Sequence, residues 1–361
     1  MKSTGYYAMP SLQTYFEKSL KRKSTGFLGI PITEFRKDIA LKLLDRLRRV
    51  RLYAHTYAFF LNSKHGCFDI DDLIDFAYQE GLHGISAHID SGEARALRHK
   101  TASEIRDIKS RVRRLDMGIN LEISSTSAEE VNSAVQIAHA LDVKNIRVYI
   151  RYSGRLSEVI RKGTEDLKAI AKVAKDNDLQ FVLEQHEDLK SHELVDIITQ
   201  VNSPRIGLLF DFGNMVNAFE EPLAALNTMS PYIRQVHLKG IRRIQKEAGF
   251  AHLGMQEGED DLPQMKMLFD LIMLGDNEPQ VKAFSLEQVI GYYAPVFRTE
   301  NEEPDPIIPD RGPSETALNK KIPLKDSLLM EKRNSCDQIR FVRNVLEQLK
   351  TIAEIQLSFE A

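Results

Sequence analysis

The sequence predicts a (β/α)8 barrel, an α/β fold in which eight parallel strands are each followed by a helix. Short β-prone runs alternate with helical patterns eight times from residue 52 onward. Such alternation implies parallel strands joined by right-handed crossovers, and eight units over roughly 300 residues match a closed barrel. An open sheet would usually carry a glycine-rich phosphate turn after its first strand, and the sequence has none.

Each of the eight units is predicted from a short apolar strand run that is followed by a helical run with a 3.6-residue period. Asp69, Ser127 and Ser191 are plausible helix caps. The predicted strand and helix pairs are 53–59 with 69–81, 83–89 with 101–115, 119–125 with 127–141, 146–151 with 165–177, 179–186 with 192–201, 206–212 with 221–229, 235–240 with 262–274, and 281–288 with 335–355.

Two segments depart from this rhythm. Residues 1–50 hold amphipathic helical runs without chemistry-bearing motifs and predict an N-terminal helical extension, while residues 51–361 form a single barrel. A proline-rich, acidic insertion, 291–332, forms a long loop between strand 8 and helix 8, at the catalytic face of a barrel. An ordered lid and a disordered insertion are both compatible with its composition.

The composition excludes several classes of partner. A formal charge of −3 and a pI near 6.4 give no electrostatic reason to expect nucleic acid or a membrane surface. Two cysteines, Cys67 and Cys336, exclude a disulfide framework and a cysteine zinc site. The first 25 residues hold no apolar signal core, and no run reaches the ~18 apolar residues of a membrane span. We therefore expect a cytoplasmic protein.

Four consecutive strand runs end in residues that can bind a metal: Glu184, Asp211, His237 and Glu287. In a barrel these ends meet at one face, and a charged residue at the last inward position is costly unless it is used. Three carboxylates and one imidazole suit one divalent ion, Mn²⁺ or Mg²⁺ before zinc. The alternative is that each acid pairs with a neighbouring Lys or Arg, which is harder to accept for four successive strands.

Other polar residues lie near the same strand ends. His186 and Lys239 each lie two residues beyond a predicted ligand, hence on the same strand face. His186 could donate to a substrate oxygen or act as a general acid, and the charge of Lys239 could stabilise an oxyanion. Arg151 could hold a carboxylate or phosphate as a bidentate fork, although Arg147 and Arg151 could equally face the helices. The substrate-binding candidates are Arg151, Asn214, His55 and His88, the last two as pocket walls that contact sugar hydroxyls.

Over residues 50–290 the series E…D-x-x-N…H-x-K…G-x-x-x-G…E resembles the xylose-isomerase-like TIM-barrel superfamily of sugar phosphate isomerases and epimerases. The series is read from Glu184, Asp211 with Asn214, His237 with Lys239, Gly254 with Gly258, and Glu287. The resemblance implies one divalent metal bound by Glu184, Asp211, His237 and Glu287. It also implies that the two glutamates serve as bases in epimerases, and that identical subunits could assemble.

Membership of this family would not determine the reaction, because the family includes isomerases, dehydratases and decarboxylases. The cationic donors and the weaker resemblance to 3-oxo-isoapionate decarboxylases favour a lyase of carbohydrate catabolism. It would decarboxylate a 3-oxo sugar acid through a metal-bound enediolate, with Glu184, Glu287, His186 and Lys239 as catalytic residues. The alternatives are a ketose or sugar phosphate isomerase or epimerase that uses Glu184 and Glu287 as bases and, more remotely, a non-catalytic barrel subunit.

Overall fold

The structure is a computed structural model that describes residues 36–311 and 322–359. Eight parallel strands close into a barrel, each paired with its sequence neighbours, and the first with the last. The predicted (β/α)8 fold is confirmed. The strands are β1 (Leu52–His55), β2 (Gly84–His88), β3 (Gly118–Glu122), β4 (Asn145–Val148), β5 (Gln180–Glu184), β6 (Ile206–Asp211), β7 (Ile233–Leu238) and β8 (Ala283–Leu286).

The helices pack outside the barrel and bury one apolar face each. Asp69 and Thr101 begin their helices with capping boxes, and Ser127 caps a third helix as predicted. The prediction that Ser191 is a cap is wrong, because Ser191 is the first helical residue and Lys190 precedes it as the cap. The helices are Lys37–Leu47, Phe60–Lys64, Ile70–Gln79, Ala102–Arg114, Ala128–Leu141, Leu156–Asp176, Ser191–Val201, Pro222–Met229, Gln264–Met273 and Leu324–Phe359.

Strand register brings the polar ends of the strands to one face. Asp211 in β6 pairs with His237 in β7, and Glu122 in β3 pairs with both His88 in β2 and Arg147 in β4. Because side chains alternate along a strand, residues at the same level of neighbouring strands point into the same layer of the barrel. The carboxyl end of the barrel therefore collects charged residues that lie far apart in the chain.

Additional structure covers this end of the barrel. A hairpin of strands Gly240–Gln245 and Phe250–Met255 follows β7, and Tyr293–Ala294 joins it as a third strand. Residues 291–311 of the predicted loop are placed in the structure, and Ile307–Ile308 pairs with Gly154–Arg155. The buried guanidinium of Arg298 holds this segment through Glu193 at 2.9 Å.

Helices lie near both ends of the described chain, and only the C-terminal one differs from its predicted start. Helix Lys37–Leu47 lies within the predicted N-terminal extension and packs against the C-terminal helix. That C-terminal helix begins at Leu324, inside the predicted loop 291–332. The first predicted helical run of the extension and residues 312–321 of the loop lie outside the described residues. No helix among residues 36–311 and 322–359 has the length and apolarity to cross a membrane.

A buried carboxyl group links the loop after the hairpin to the C-terminal helix. Glu257 accepts hydrogen bonds from Gln338 of that helix and from Gln256 at 2.9 Å. Burial raises the pKa of Glu257 from 4.5 to about 8, despite these hydrogen bonds. The folded protein therefore retains a proton that the unfolded chain has already released between those two pH values.

This retained proton makes folding stability fall as the pH rises from 5 to 8. We expect the free energy of unfolding of the Glu257→Gln variant to lack this decrease with pH. Its stability relative to wild type should rise across this range by a few kcal/mol, since each pKa unit is worth about 1.4 kcal/mol. Urea unfolding at several pH values measures the effect, with exposed Glu259→Gln as the control. Parallel pH profiles for wild type and Glu257→Gln would contradict the prediction.

Candidate metal centre

The four predicted metal ligands converge at the carboxyl end of the barrel. Glu184, Asp211, His237 and Glu287 are buried, and each offers one ligand atom within 4.8 Å of the other three. His237 Nδ1 lies 3.5 Å from Glu184 Oε1 and 3.3 Å from Glu287 Oε2. The residues come from β5, β6 and β7 and from the position after β8, so barrel closure alone brings them together.

Each of these four residues carries a buried polar atom that makes no hydrogen bond within the described part of the chain. The atoms are Glu184 Oε2, Asp211 Oδ2, His237 Nδ1 and Glu287 Oε2. Each of the four atoms has a charged neighbour instead: Lys239 Nζ lies 2.8 Å from Asp211 Oδ2, Arg147 Nε lies 3.1 Å from Glu184 Oε2, and His237 Nδ1 lies 3.3 Å from Glu287 Oε2. A shared cation could take the place of these partners. Three hard oxygen donors and one imidazole nitrogen fit a divalent cation, and these residues can hold one.

A second layer of side chains fixes the orientation of His237. Its Nε2 lies 3.1 Å from Glu122 Oε1, which leaves Nδ1 pointing at the cluster. His55 Nδ1 accepts a hydrogen bond from the Tyr57 amide at 2.9 Å, so His55 Nε2 carries the hydrogen and donates it to Glu122 Oε2 at 2.7 Å. A histidine that is oriented by a carboxylate on its far nitrogen is the usual arrangement around a bound metal.

The charges of the cluster compensate one another. Burial opposes ionisation of Glu287, but Lys239 and His237 outweigh it and hold the pKa of Glu287 well below 4.5. Burial also opposes protonation of His237, but Glu287, Glu122 and Glu184 raise its pKa well above 6.5. For Asp211 burial wins and raises the pKa to about 7. Without a metal the cluster therefore binds protons that a divalent cation would displace.

Lys239 and Asn214 connect the cluster to the open cavity. Lys239 Nζ lies 2.8 Å from Asp211 Oδ2, 3.4 Å from Glu287 Oε2 and 3.1 Å from Asn214 Oδ1. Burial would lower the pKa of Lys239, but Asp211 and Glu287 raise it, so the ammonium stays charged. Asn214 in turn donates to Glu184 Oε1 at 3.3 Å. Both residues occupy the predicted positions beside the ligands.

A cavity of about 380 Å³ opens over the cluster, and all the predicted substrate contacts line it. Arg151 lies at its exposed rim, where Nη1 is 3.4 Å from the Tyr149 hydroxyl. His88 accepts from the Asp90 amide at 3.2 Å and its Nε2 lies 2.7 Å from Ser124 Oγ. Both ring nitrogens of His88 have hydrogen-bond partners, and so do those of His55. The two histidines therefore form part of the cavity wall, but neither has an unpaired nitrogen for the predicted contact with a sugar hydroxyl.

His186 has a defined protonation state in this cavity. An arginine can only donate, and Arg311 Nη1 contacts His186 Nδ1, so the imidazole hydrogen is on Nε2. Burial, Arg311 and Arg147 hold the pKa of His186 well below 6.5, and the ring stacks on Tyr149 with 4.2 Å between centroids. His186 is therefore neutral, with its hydrogen on Nε2. This state suits the predicted role of donor to a substrate oxygen better than that of general acid, and both roles stay predictions.

Arg147 and Arg151 have different surroundings. Arg147 is buried inside the barrel, where its guanidinium contacts Glu122 Oε2, and Nε lies 3.1 Å from Glu184 Oε2. Arg151 follows the end of β4 and forms no ion pair with any described residue. The open alternative in which both arginines face the helices is thus excluded. Arg147 stabilises the ligand layer, and Arg151 is available to a substrate.

The roles of Glu122 and Arg311 were not predicted from the sequence. Glu122 ends β3 at an inward position, the same signal that marked Glu184, and could have been found by applying the rule to every strand. Arg311 belongs to the loop after β8 and forms ion pairs with Glu187 at 3.3 Å and Asp188 at 2.7 Å. No local pattern marks it, because its contacts depend on how the loop docks.

Fold and cluster together define a barrel protein that can hold a divalent metal at its strand ends. The model of the xylose isomerase-like TIM barrel family matches residues 74–272, and the chain belongs to that family. The predicted family resemblance is therefore confirmed.

Relatives of known sequence or structure agree with this family. The chain is 40% identical over 311 residues to the uncharacterized protein YihM of Escherichia coli (strain K12), covering 86% of this chain and 95% of YihM. It is 26% identical over 155 residues to the 3-oxo-isoapionate decarboxylase of Pectobacterium atrosepticum, covering 40% of this chain and 54% of that enzyme. The solved structure of D-psicose 3-epimerase from Clostridium cellulolyticum H10 with D-tagatose shares the fold, with a TM-score of 0.56 and 14% sequence identity. The match covers 82% of this chain and 99% of the epimerase chain.

Removing one ligand should abolish metal uptake. We expect Glu184→Gln and His237→Ala to bind no Mn²⁺ after chelator treatment and reloading, while wild type binds one ion per chain. Elemental analysis after gel filtration measures this, with surface Glu165→Gln as the matched control. Folding should persist, which circular dichroism checks. Full metal content in both ligand variants would contradict the assignment.

Glu122 should act through His237 rather than as a ligand. We expect Glu122→Gln to keep one metal site but to weaken Mn²⁺ affinity by about 10–100-fold, the usual effect of losing an oriented outer carboxylate. Isothermal titration with Mn²⁺ measures the dissociation constant. An affinity equal to that of wild type would show that Glu122 does not orient His237, and complete loss of binding would place Glu122 among the ligands.

Proposed function

We propose that this protein is a divalent-metal-dependent carbon–carbon lyase that decarboxylates a 3-oxo sugar acid. The observation that carries the proposal is the distribution of charge around the cavity. The ligand cluster is already compensated, yet Arg151 lines the same cavity without an acidic partner among the described residues. An anionic group on the substrate is the natural partner of such an arginine, whereas a neutral ketose supplies none.

The carboxylate of the substrate would be bound at the rim and its carbonyl deeper in the cavity. Arg151 supplies a planar guanidinium at the rim, and Lys239 and the Nε2–H of His186 supply donors near the cluster. A divalent ion held by Glu184, Asp211, His237 and Glu287 would polarise the substrate carbonyl as a Lewis acid. We expect Mn²⁺ or Mg²⁺, because three of the four donors are carboxylates.

The reaction follows from this placement. The bond between the carboxylate carbon and the adjacent carbon breaks, CO2 leaves, and the electron pair moves towards the former carbonyl oxygen. The donors Lys239 and His186 stabilise the negative charge that develops there, and they do so best in a site that excludes bulk water. The carbon then takes one proton from solvent to give a ketose. No strong base is required, which agrees with a neutral His186 that holds its hydrogen on Nε2.

The partial likeness to a 3-oxo-isoapionate decarboxylase supports this choice of substrate class. The alternative is a ketose or sugar phosphate isomerase or epimerase. It is favoured by a different observation, that Glu184 and Glu287 both line the cavity and could act as proton-transfer bases. The fold shared with a D-psicose 3-epimerase is compatible with either reaction.

One assay separates these reactions. Purified protein with Mn²⁺ and 3-oxo-isoapionate should release CO2 and form a ketose, and Arg151→Met should raise KM by about 10–150-fold, the value of 1.5–3 kcal/mol for a charged hydrogen bond. Arg161→Met on a surface helix is the matched control. If no CO2 forms, and a neutral ketose instead exchanges a carbon-bound proton in D2O, the protein is an epimerase or isomerase.

A further inference from the structure

We infer that a second, minor cavity beside Glu287 is a hydroxyl-binding subsite in which His252 accepts a hydrogen bond from an O–H group. His252 lies on hairpin strand Phe250–Met255 and is completely buried. It lines this minor cavity together with Lys239 and Glu287. Neither the metal cluster nor the proposed decarboxylation uses His252, so its position calls for a separate explanation.

The tautomer of His252 follows from its neighbour. Asn217 Nδ2 donates to the carbonyl oxygens of Ala294 at 3.1 Å and Pro295 at 2.6 Å, so the amide orientation is fixed and Asn217 Oδ1 is an acceptor. His252 Nδ1 lies 2.6 Å from that oxygen and must therefore carry the imidazole hydrogen. Burial and Lys239 keep the pKa of His252 well below 6.5. The ring is neutral, and its Nε2 presents a lone pair.

That lone pair has no partner among residues 36–311 and 322–359. Two donors that line the minor cavity are already engaged, since Lys239 contacts Asp211 and Asn214, and the Tyr292 hydroxyl donates to Glu187 at 2.8 Å. A buried acceptor left unpaired costs about 1–3 kcal/mol. The missing donor must come from outside the wall.

The size and chemistry of the minor cavity define the occupant. Its volume is about 10 Å³, close to the least space that holds one water oxygen, so it admits a single oxygen atom. A hydroxyl can donate to His252 Nε2, whereas a carboxylate has no hydrogen to donate. The subsite therefore selects a neutral O–H group.

Two sources can supply this group, a water molecule or a hydroxyl of the substrate. Tyr57, Lys239, Glu287 and Tyr292 line both the minor cavity and the main one, so the subsite adjoins the space where the substrate would bind. In naming a substrate hydroxyl the inference rests on the proposed function. The subsite itself does not, because its geometry involves only the protein.

High-resolution crystal structures of the full-length, metal-loaded protein test this inference, with and without erythritol as a polyol probe. We expect an oxygen atom within hydrogen-bond distance of His252 Nε2 in both crystals. Replacement of that oxygen by an erythritol hydroxyl assigns the subsite to substrate, and retention of a water oxygen assigns it to water. The inference is overturned if Nε2 contacts no oxygen in either crystal, or contacts a side chain of the wall.

A measurement in solution gives a second, independent readout. In protein labelled with ¹⁵N-histidine, long-range ¹⁵N–¹H spectra should show one neutral ring with its hydrogen on Nδ1, and that signal should be lost in His252→Phe but kept in His139→Phe. If the signal that disappears in His252→Phe belongs to a ring with its hydrogen on Nε2 at neutral pH, the inference is overturned. Neither experiment depends on turnover, so a failure to release CO2 would leave both results interpretable.

Discussion

The structure depends on the burial of four carboxylates, Glu122, Glu184, Asp211 and Glu287, inside one end of a closed barrel. Isolated buried charges cost many kcal/mol, so such a group persists only when it is paired. Arg147, Lys239 and protonated His237 provide pairing within the chain. One atom each of Glu184, Asp211, His237 and Glu287 makes no hydrogen bond among the described residues, and a divalent cation bound there would give these atoms a further partner.

The same constraint orders the surroundings of the cluster. The inner layer of ligands is held by a second layer, in which Glu122 bridges His55 and His237. Above it, Arg311 brings the loop after β8 against His186, Glu187 and Asp188 and fixes the tautomer of His186. The cavity thus presents hydrogen-bond donors of known protonation state. This arrangement favours chemistry in which negative charge develops on a substrate oxygen.

Much of this could be predicted from the sequence, because the fold and the cluster share one signal. Strand periodicity gives the eight barrel strands, and barrel closure then requires Glu184, Asp211, His237 and Glu287 to meet. Their convergence is visible in the structure, while their roles remain predictions. The inward direction of Arg147 was not predictable, because β4 ends at Val148 and its face could be read either way.

Local sequence patterns could not predict the contacts that the loops make. Arg311 contacts His186, more than 100 positions away in the chain, and only the docking of the loop after β8 brings it to the site. The C-terminal helix was placed too late, because its first turns lie in a stretch rich in proline and charge. Sequence signals therefore predicted the barrel and its candidate metal ligands, whereas tertiary packing determines the cavity above them.

One ion shared by four side chains is the feature on which the proposed site depends. Anomalous diffraction at the manganese edge from crystals grown with Mn²⁺ tests it most directly. We expect one strong anomalous peak within bonding distance of Glu184, Asp211, His237 and Glu287. Absence of a peak there, with the four side chains well ordered, or a peak held by other residues, would contradict the account.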